Sequence, residues 1–268
     1  MTLIISLLHP NGILMGADTK LTTTYTPVND KFIPNGEQTI RYSKSTKFFE
    51  IPGVACVTCW GDFTRLHGKI KILFANYGDF QNVDDLSEKV YQFLLKEIDP
   101  FVDEELGFHI GGYMDSKKPK LYHVFYGKDV GLGLDPNTNL QQVKKHDHSD
   151  FLALYNGQNH IAHEIINSIL ILEKTLGIIK WITEYDISKA ISLIENIMVY
   201  ASKNDLTIGG NINIVTIDKQ NKMNIYTKEQ DLTIPNPITF YEEKNDSSHI
   251  LPSGIHPCDS TASVKRII

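Results

Sequence analysis

Thr2-Leu3-Ile4-Ile5-Ser6-Leu7-Leu8-His9-Pro10-Asn11-Gly12-Ile13-Leu14-Met15-Gly16-Ala17-Asp18 is the stretch on which the reading of this chain turns. Two apolar runs flank Asn11-Gly12, and an Asn-Gly pair in that setting is a strong hairpin signal. Such a hairpin returns Asp18 to the side of Thr2. Thr2 follows Met1, and a Met before a small residue is normally trimmed. Trimming would leave a threonine with both a hydroxyl and a free α-amine. That residue then carries a nucleophile and its own base, an arrangement used in amide hydrolysis.

Composition narrows the classes. A chain of 268 residues with 41% hydrophobic and 22% charged residues suits one globular domain with a sizeable core. A net charge of −6 with no dense Lys/Arg run argues against nucleic acid as the main partner. Leu3–Leu8 lacks the basic segment of a signal peptide and is cut short by His9-Pro10-Asn11-Gly12. No apolar run reaches the roughly 18 residues that span a bilayer. A cytoplasmic protein without membrane segments is expected. Three cysteines make no disulfide framework. Cys56 and Cys59 sit in an apparent strand, Val54–Trp60, where positions three apart face opposite ways, so packed thiols are expected.

Outward from the first hairpin, the polar stretch Thr22–Thr46 reads as a loop. Lys47–Ile51 and Val54–Trp60 then form a second hairpin about Pro52-Gly53. Helical spacing starts near Asp62, with Phe63, Leu66, Ile70, Leu73 and Phe74 on one side. A further helix runs from Val83 to Ile98, before Pro100. Strands follow at Phe108–Met114 and Lys120–Tyr126, then an irregular loop over 127–148 that includes the charged Lys144–His148. Phe151–Tyr155 reads as a strand leading through Asn156-Gly157 into a helix with Ile161, Ile165, Ile169 and Leu172. Ile187, Ile191, Ile194, Met198 and Ala201 mark the last helix. Gly209-Gly210 precedes a final strand pair, Asn211–Ile217 and Met223–Thr227.

Pairs of strands alternate with pairs of helices, which is not the βαβ rhythm of a parallel sheet. The order predicts an α+β fold: two stacked antiparallel sheets between two helix layers, a four-layer αββα sandwich. The domain spans 1–230. Residues 231–268 shift to Pro, Asn, Ser and charge and read as a loosely docked or disordered extension.

Over roughly residues 2–229 the chain resembles proteasome-type β subunits, within the N-terminal-nucleophile hydrolases. Three separated matches carry the resemblance. Thr2 is followed by an apolar strand and Gly16-Ala17-Asp18-Thr19-Lys20-Leu21-Thr22. Lys47-Phe48-Phe49-Glu50-Ile51 is similar to the strand that presents the family's catalytic lysine. Asp205-Leu206-Thr207-Ile208-Gly209-Gly210 is similar to its late acid and glycine pair.

The resemblance implies a division of labour. Thr2 would attack the scissile carbonyl, and its α-amine, with a reference pKa of about 7.7–8, would take the proton. Lys47 would lower that pKa by like-charge repulsion, Asp18 would hold Lys47, and Asp205 would orient Thr2. The backbone N–H of Trp60 or Gly61 would stabilise the oxyanion. Thr22 would bind substrate, and Leu21, Ser45, Phe49 and Thr58 would line the first specificity pocket. Three positions depart from the family: Trp60 replaces its usual Gly, while Asn156 and Ile208 replace Ser.

The resemblance further implies peptide or unfolded-protein substrates, self-assembly into rings, an ATP-dependent unfoldase or gating partner, and no cofactor. A non-catalytic ring subunit and a small-molecule amidase are the alternatives. His160 and His163 share helical spacing but have no evident carboxylate or cysteine partner, so no metal is expected.

Overall fold

The Asn11-Gly12 turn folds as a hairpin. Strand β1 (Leu3–His9) pairs antiparallel with β2 (Gly12–Asp18), with Ile4 opposite Ala17 and His9 opposite Gly12. The computed structural model describes residues 3–25, 38–44, 47–62, 65–75, 77–101, 103–127, 142–149, 153–157, 162, 164–166, 168, 186–205, 208–230, 239–240 and 262–263. Further along come β3 (Lys20–Tyr25), β4 (Gln38–Lys44), β5 (Phe48–Ile51), β6 (Ala55–Gly61), α1 (His67–Ala75) and α2 (Val83–Glu97). They are followed by β7 (Leu106–Tyr113), β8 (Pro119–Gly127), β9 (Gln142–Asp147), β10 (Ala153–Gly157), α3 (Ile187–Asn204), β11 (Ile212–Ile217) and β12 (Met223–Lys228).

Among the described residues the fold is α+β, with two five-stranded antiparallel sheets and a smaller antiparallel sheet in which β3, Thr239–Phe240 and Ala262–Ser263 pair with β4. One five-stranded sheet runs β10-β1-β2-β11-β12, the other β5-β6-β7-β8-β9. Every residue of β1 and β2 is buried, so both faces of this hairpin need apolar cover. Side chains alternate along a strand. Leu3, Ile5, Leu7 and Leu14 accordingly pack with Ile194, Ile197 and Met198 of α3. Ile13 and Met15 pack instead with Cys56, Tyr113 and Leu121 of the second sheet. On that sheet, Val57, Phe108, Ile110 and Val124 are covered by Ile70 and Phe74 of α1 and by Leu86, Val90 and Leu94 of α2. Asn82 caps α2 by accepting the Asp85 N–H at 2.9 Å, and Asp84 and Asp85 lie in its positive first turn.

The structure corrects several sequence expectations. Thr22–Thr46 is not all loop: β3 and β4 pair antiparallel from Lys20 opposite Lys44 to Tyr25 opposite Thr39. Residues Thr22, Thr23, Thr24 and Tyr25 favour a ladder because they are β-branched or aromatic. Their uniform polarity erases the alternation that normally reveals a strand.

Nor is 127–148 loop throughout, for β9 pairs with β8 at the edge of its sheet. Its charges are met locally: Lys120 bonds Asp147 at 2.6 Å, and Lys145 pairs with Glu88. Charged edge strands are a common guard against further pairing. The strand expected to end at Tyr155 continues through Asn156-Gly157, and α1 begins at His67, not near Asp62. In the extension, Thr239–Phe240 and Ala262–Ser263 pair with β4; the remainder of 231–268 lies outside the described residues.

Candidate active site

Asp18 closes β2, and its side chain is fully buried (0% exposed). A carboxylate in that position needs partners, and four donors meet it. Oδ1 accepts the Leu3 N–H at 3.1 Å and the Lys47 ammonium at 2.8 Å. Oδ2 accepts the N–H groups of Lys20 and Gly209, each at 3.2 Å. Lys47 is 1% exposed, and its Nζ also donates to the Lys20 carbonyl at 2.7 Å. One carboxylate thus ties together the start of β1, the end of β2, the residue before β5 and the segment before β11.

Glycine makes this convergence possible. Thr19 and Lys20 donate their N–H groups to the carbonyls of Asn211 and Gly209, both at 2.9 Å. Gly210 has φ +73°, and a Cβ there would lie 2.5 Å from Thr19 Oγ1. Any other residue would be strained and would push the two segments apart.

Asp205 caps the C-terminus of α3, donating its N–H to the Ala201 carbonyl at 2.8 Å. Its carboxylate bears on Lys20: burial lowers the Lys20 pKa, while Asp18 and Asp205 oppose that shift. Ile208 buries its side chain in the cluster that packs with α3.

Two backbone hydrogen bonds distinguish the oxyanion candidates. Cys59 donates its N–H to the Lys47 carbonyl at 3.2 Å, and Asp62 donates to the Glu105 carbonyl at 3.2 Å. N–H groups alternate sides along a strand. The Gly61 N–H therefore points to the Lys47 side and that of Trp60 to the β7 side. Gly61 has φ +87°, and a Cβ there would overlap the Glu105 carbonyl oxygen. The Trp60 indole turns inward between the sheets, against Ile4, Ala17 and Phe125. It does not lie over the Lys47 side of the strand.

Of the four expected pocket residues, the side chains of Phe49 and Thr58 are described. Phe48 faces Thr58 across the ladder and Phe49 faces Val57, so the pleat puts Phe49 and Thr58 on opposite faces of the sheet. Phe49 packs on the helix side, its ring 4.7 Å from that of Phe74. Thr58 is buried on the inner face, and its hydroxyl has no hydrogen-bond partner among the described residues. Cys59 lies on the Phe49 face, in the same core cluster. Leu21 and Thr22 lie on β3 and only their backbone is described; Thr2, Ser45, His160 and His163 lie outside the described residues.

Cys56 and Cys59 do face opposite ways, in different clusters. Burial pushes both thiols up, that of Cys59 to about 12. Neither is a thiolate nucleophile near neutral pH.

Sequence reasoning also missed a buried polar chain on the inner face. Ser6 Oγ and His109 Nδ1 are 2.9 Å apart, and His109 Nε2 is 2.7 Å from Asn156 Oδ1. Asn156, at a position where the resemblance implies serine, therefore supports His109. These residues are far apart in the chain, and no local pattern joins them. No family model matches this chain, and no curated protein matches it.

Proposed function

We propose that this chain is a threonine-type amide hydrolase of the proteasome-like kind, a peptidase that uses Thr2 as its N-terminal nucleophile. The observation that carries the proposal is the buried Asp18–Lys47 pair, bonded to the N–H of Leu3, the residue joined to Thr2. Removing two charges from water costs several kcal/mol per ion, and two packed apolar side chains would often be no less stable. A pair kept in such a place is better explained by chemistry than by stability.

Once Thr2 is the first residue, its Oγ attacks the amide carbonyl and its proton passes to the α-amine. The Lys47 ammonium favours the neutral, basic form of that amine. Negative charge gathers on the carbonyl oxygen, where the Gly61 N–H donates. Collapse expels the leaving amine, which takes the proton, and leaves an ester on Thr2. Water, deprotonated by the α-amine, hydrolyses the ester and regenerates the hydroxyl. Asp18 fixes Lys47, and Asp205 acts from the Lys20 side.

The packing of α3 on one sheet, α1 and α2 on the other, and shared apolar clusters between the sheets supports a four-layer αββα arrangement of the N-terminal-nucleophile type. Peptide or unfolded-protein substrates, ring assembly and an ATP-dependent unfoldase or gating partner extend the same proposal.

An α′,β′-epoxyketone tests it, because that group needs both the hydroxyl and the free amine of one N-terminal threonine. Intact and peptide-level mass should show one stable adduct on Thr2, absent after Thr2→Ala. A chain that begins at Thr2 and never reacts would favour the non-catalytic ring subunit. Ile208 speaks for that second reading, since it offers no hydroxyl beside the glycine pair.

A further inference from the structure

The Trp60 indole lies across β7 rather than beside its own strand. It crosses at Gly107, its partner in the ladder, where a Cβ would lie 2.7 Å from Trp60 Nε1. Beyond Gly107 it reaches β8, where Nε1–H donates to His123 Nε2 at 3.2 Å. An indole N–H only donates, so His123 must accept at Nε2 and carry its proton on Nδ1. His123 is buried, stacked on Phe125 at 4.3 Å and edge-on to His109 at 5.2 Å. His109 is itself held between Ser6 and Asn156 of the opposite sheet. The imidazole has little freedom to turn.

Trp60 shares a buried cluster with Ile4 and Ala17. Ile4 follows Leu3, Ala17 precedes Asp18, and Trp60 precedes Gly61. One ring therefore packs against the neighbours of the Asp18 cluster and is continuous with the candidate oxyanion donor.

We infer that His123 is a positioning residue: by accepting the Trp60 indole N–H across Gly107, it sets the orientation of Trp60 and through it the Gly61 N–H. The inference rests on the proposed role of Gly61 in amide hydrolysis. His123 never touches substrate; it acts from the inner face, two strands away from β6. A shift of under 1 Å at an oxyanion donor is costly because the donor must meet charge that exists only in the transition state.

The test compares His123→Phe, which keeps a ring but cannot accept, with His123→Gln, whose Oε1 can. Protein carrying ¹⁵N-labelled tryptophan has two indole resonances, from Trp60 and Trp181, separated with Trp181→Phe. In His123→Phe the Trp60 indole proton should move upfield as its hydrogen bond is lost. The rate of epoxyketone adduct formation, and kcat on a fluorogenic peptide, should fall about tenfold or more while KM stays within about twofold. His123→Gln should restore the resonance and bring the rate to within about threefold of the parent. A reactive parent whose His123→Phe variant reacts equally fast overturns the His123 assignment alone. So does a Trp60 resonance that does not move. An unreactive parent chain beginning at Thr2 overturns the proposed function beneath it.

Discussion

Lys47 and Asp18 are each expensive alone and tolerable together. Replacing Lys47 by Met strands a buried carboxylate, and the expected loss is about 3–5 kcal/mol in urea denaturation. The double variant Asp18→Asn/Lys47→Met leaves no lone charge and should regain part of that stability. It should regain none of the epoxyketone reactivity, since no ammonium remains to favour the neutral α-amine. Equal recovery of both would show that the pair serves folding only. At Gly61, substitution by Ala forces a Cβ against the Glu105 carbonyl at φ +87°. It should cost at least about 1–2 kcal/mol and slow adduct formation further than the loss of folded protein explains. The acid, the lysine and both candidate donors were named by the family resemblance that the sequence carries. Which N–H faces the lysine was not, because that depends on the register of β6 between β5 and β7.

Among the elements, helices with an apolar stripe and a clear cap were the most legible. Asn82 before Val83-Asp84-Asp85 is a start signal, and Pro100 a stop. Asn82→Ala should cost about 1 kcal/mol by thermal or chemical denaturation, because the Asp85 N–H loses its acceptor. Ile194→Ala should cost more, about 2–5 kcal/mol, because that side chain fills the space between α3 and the first sheet. β3 and β9 were illegible for a shared reason. Most of their residues are polar, and both pair along their length with a neighbour, β4 or β8. A strand held by its neighbours carries little pattern of its own.

At the scale of the whole molecule, the space between the sheets holds buried imidazoles. Burial pushes His109 down to about 3, with the Asn156 bond opposing, and lowers His123 well below its ordinary range. The unfolded chain titrates these groups near 6.5. Between about pH 6.5 and 3 it therefore binds protons that the folded state refuses, so stability falls as the pH falls through that window. His109 alone gives a slope of up to about 1.4 kcal/mol per pH unit, and nothing above about pH 6.5. Denaturation midpoints between pH 4 and 7 measure it, and His109→Gln should flatten the dependence.

The resemblance singled out Asp18 and Lys47, while the sequence by itself determined the hairpin about Asn11-Gly12, the helices α2 and α3 and the α+β class. Those follow from turn chemistry, apolar period and residue type, which are local properties. Only the tertiary structure decided that the Asp18 carboxylate gathers Leu3, Lys20, Lys47 and Gly209, that Thr58 and Phe49 face apart, and that Trp60 turns inward to His123. These depend on pairing register and on what the opposing sheet presents, and contacts such as Asp18–Lys47, Trp60–His123 and Asp18–Gly209, which are 29, 63 and 191 positions apart, leave no periodic trace in the chain.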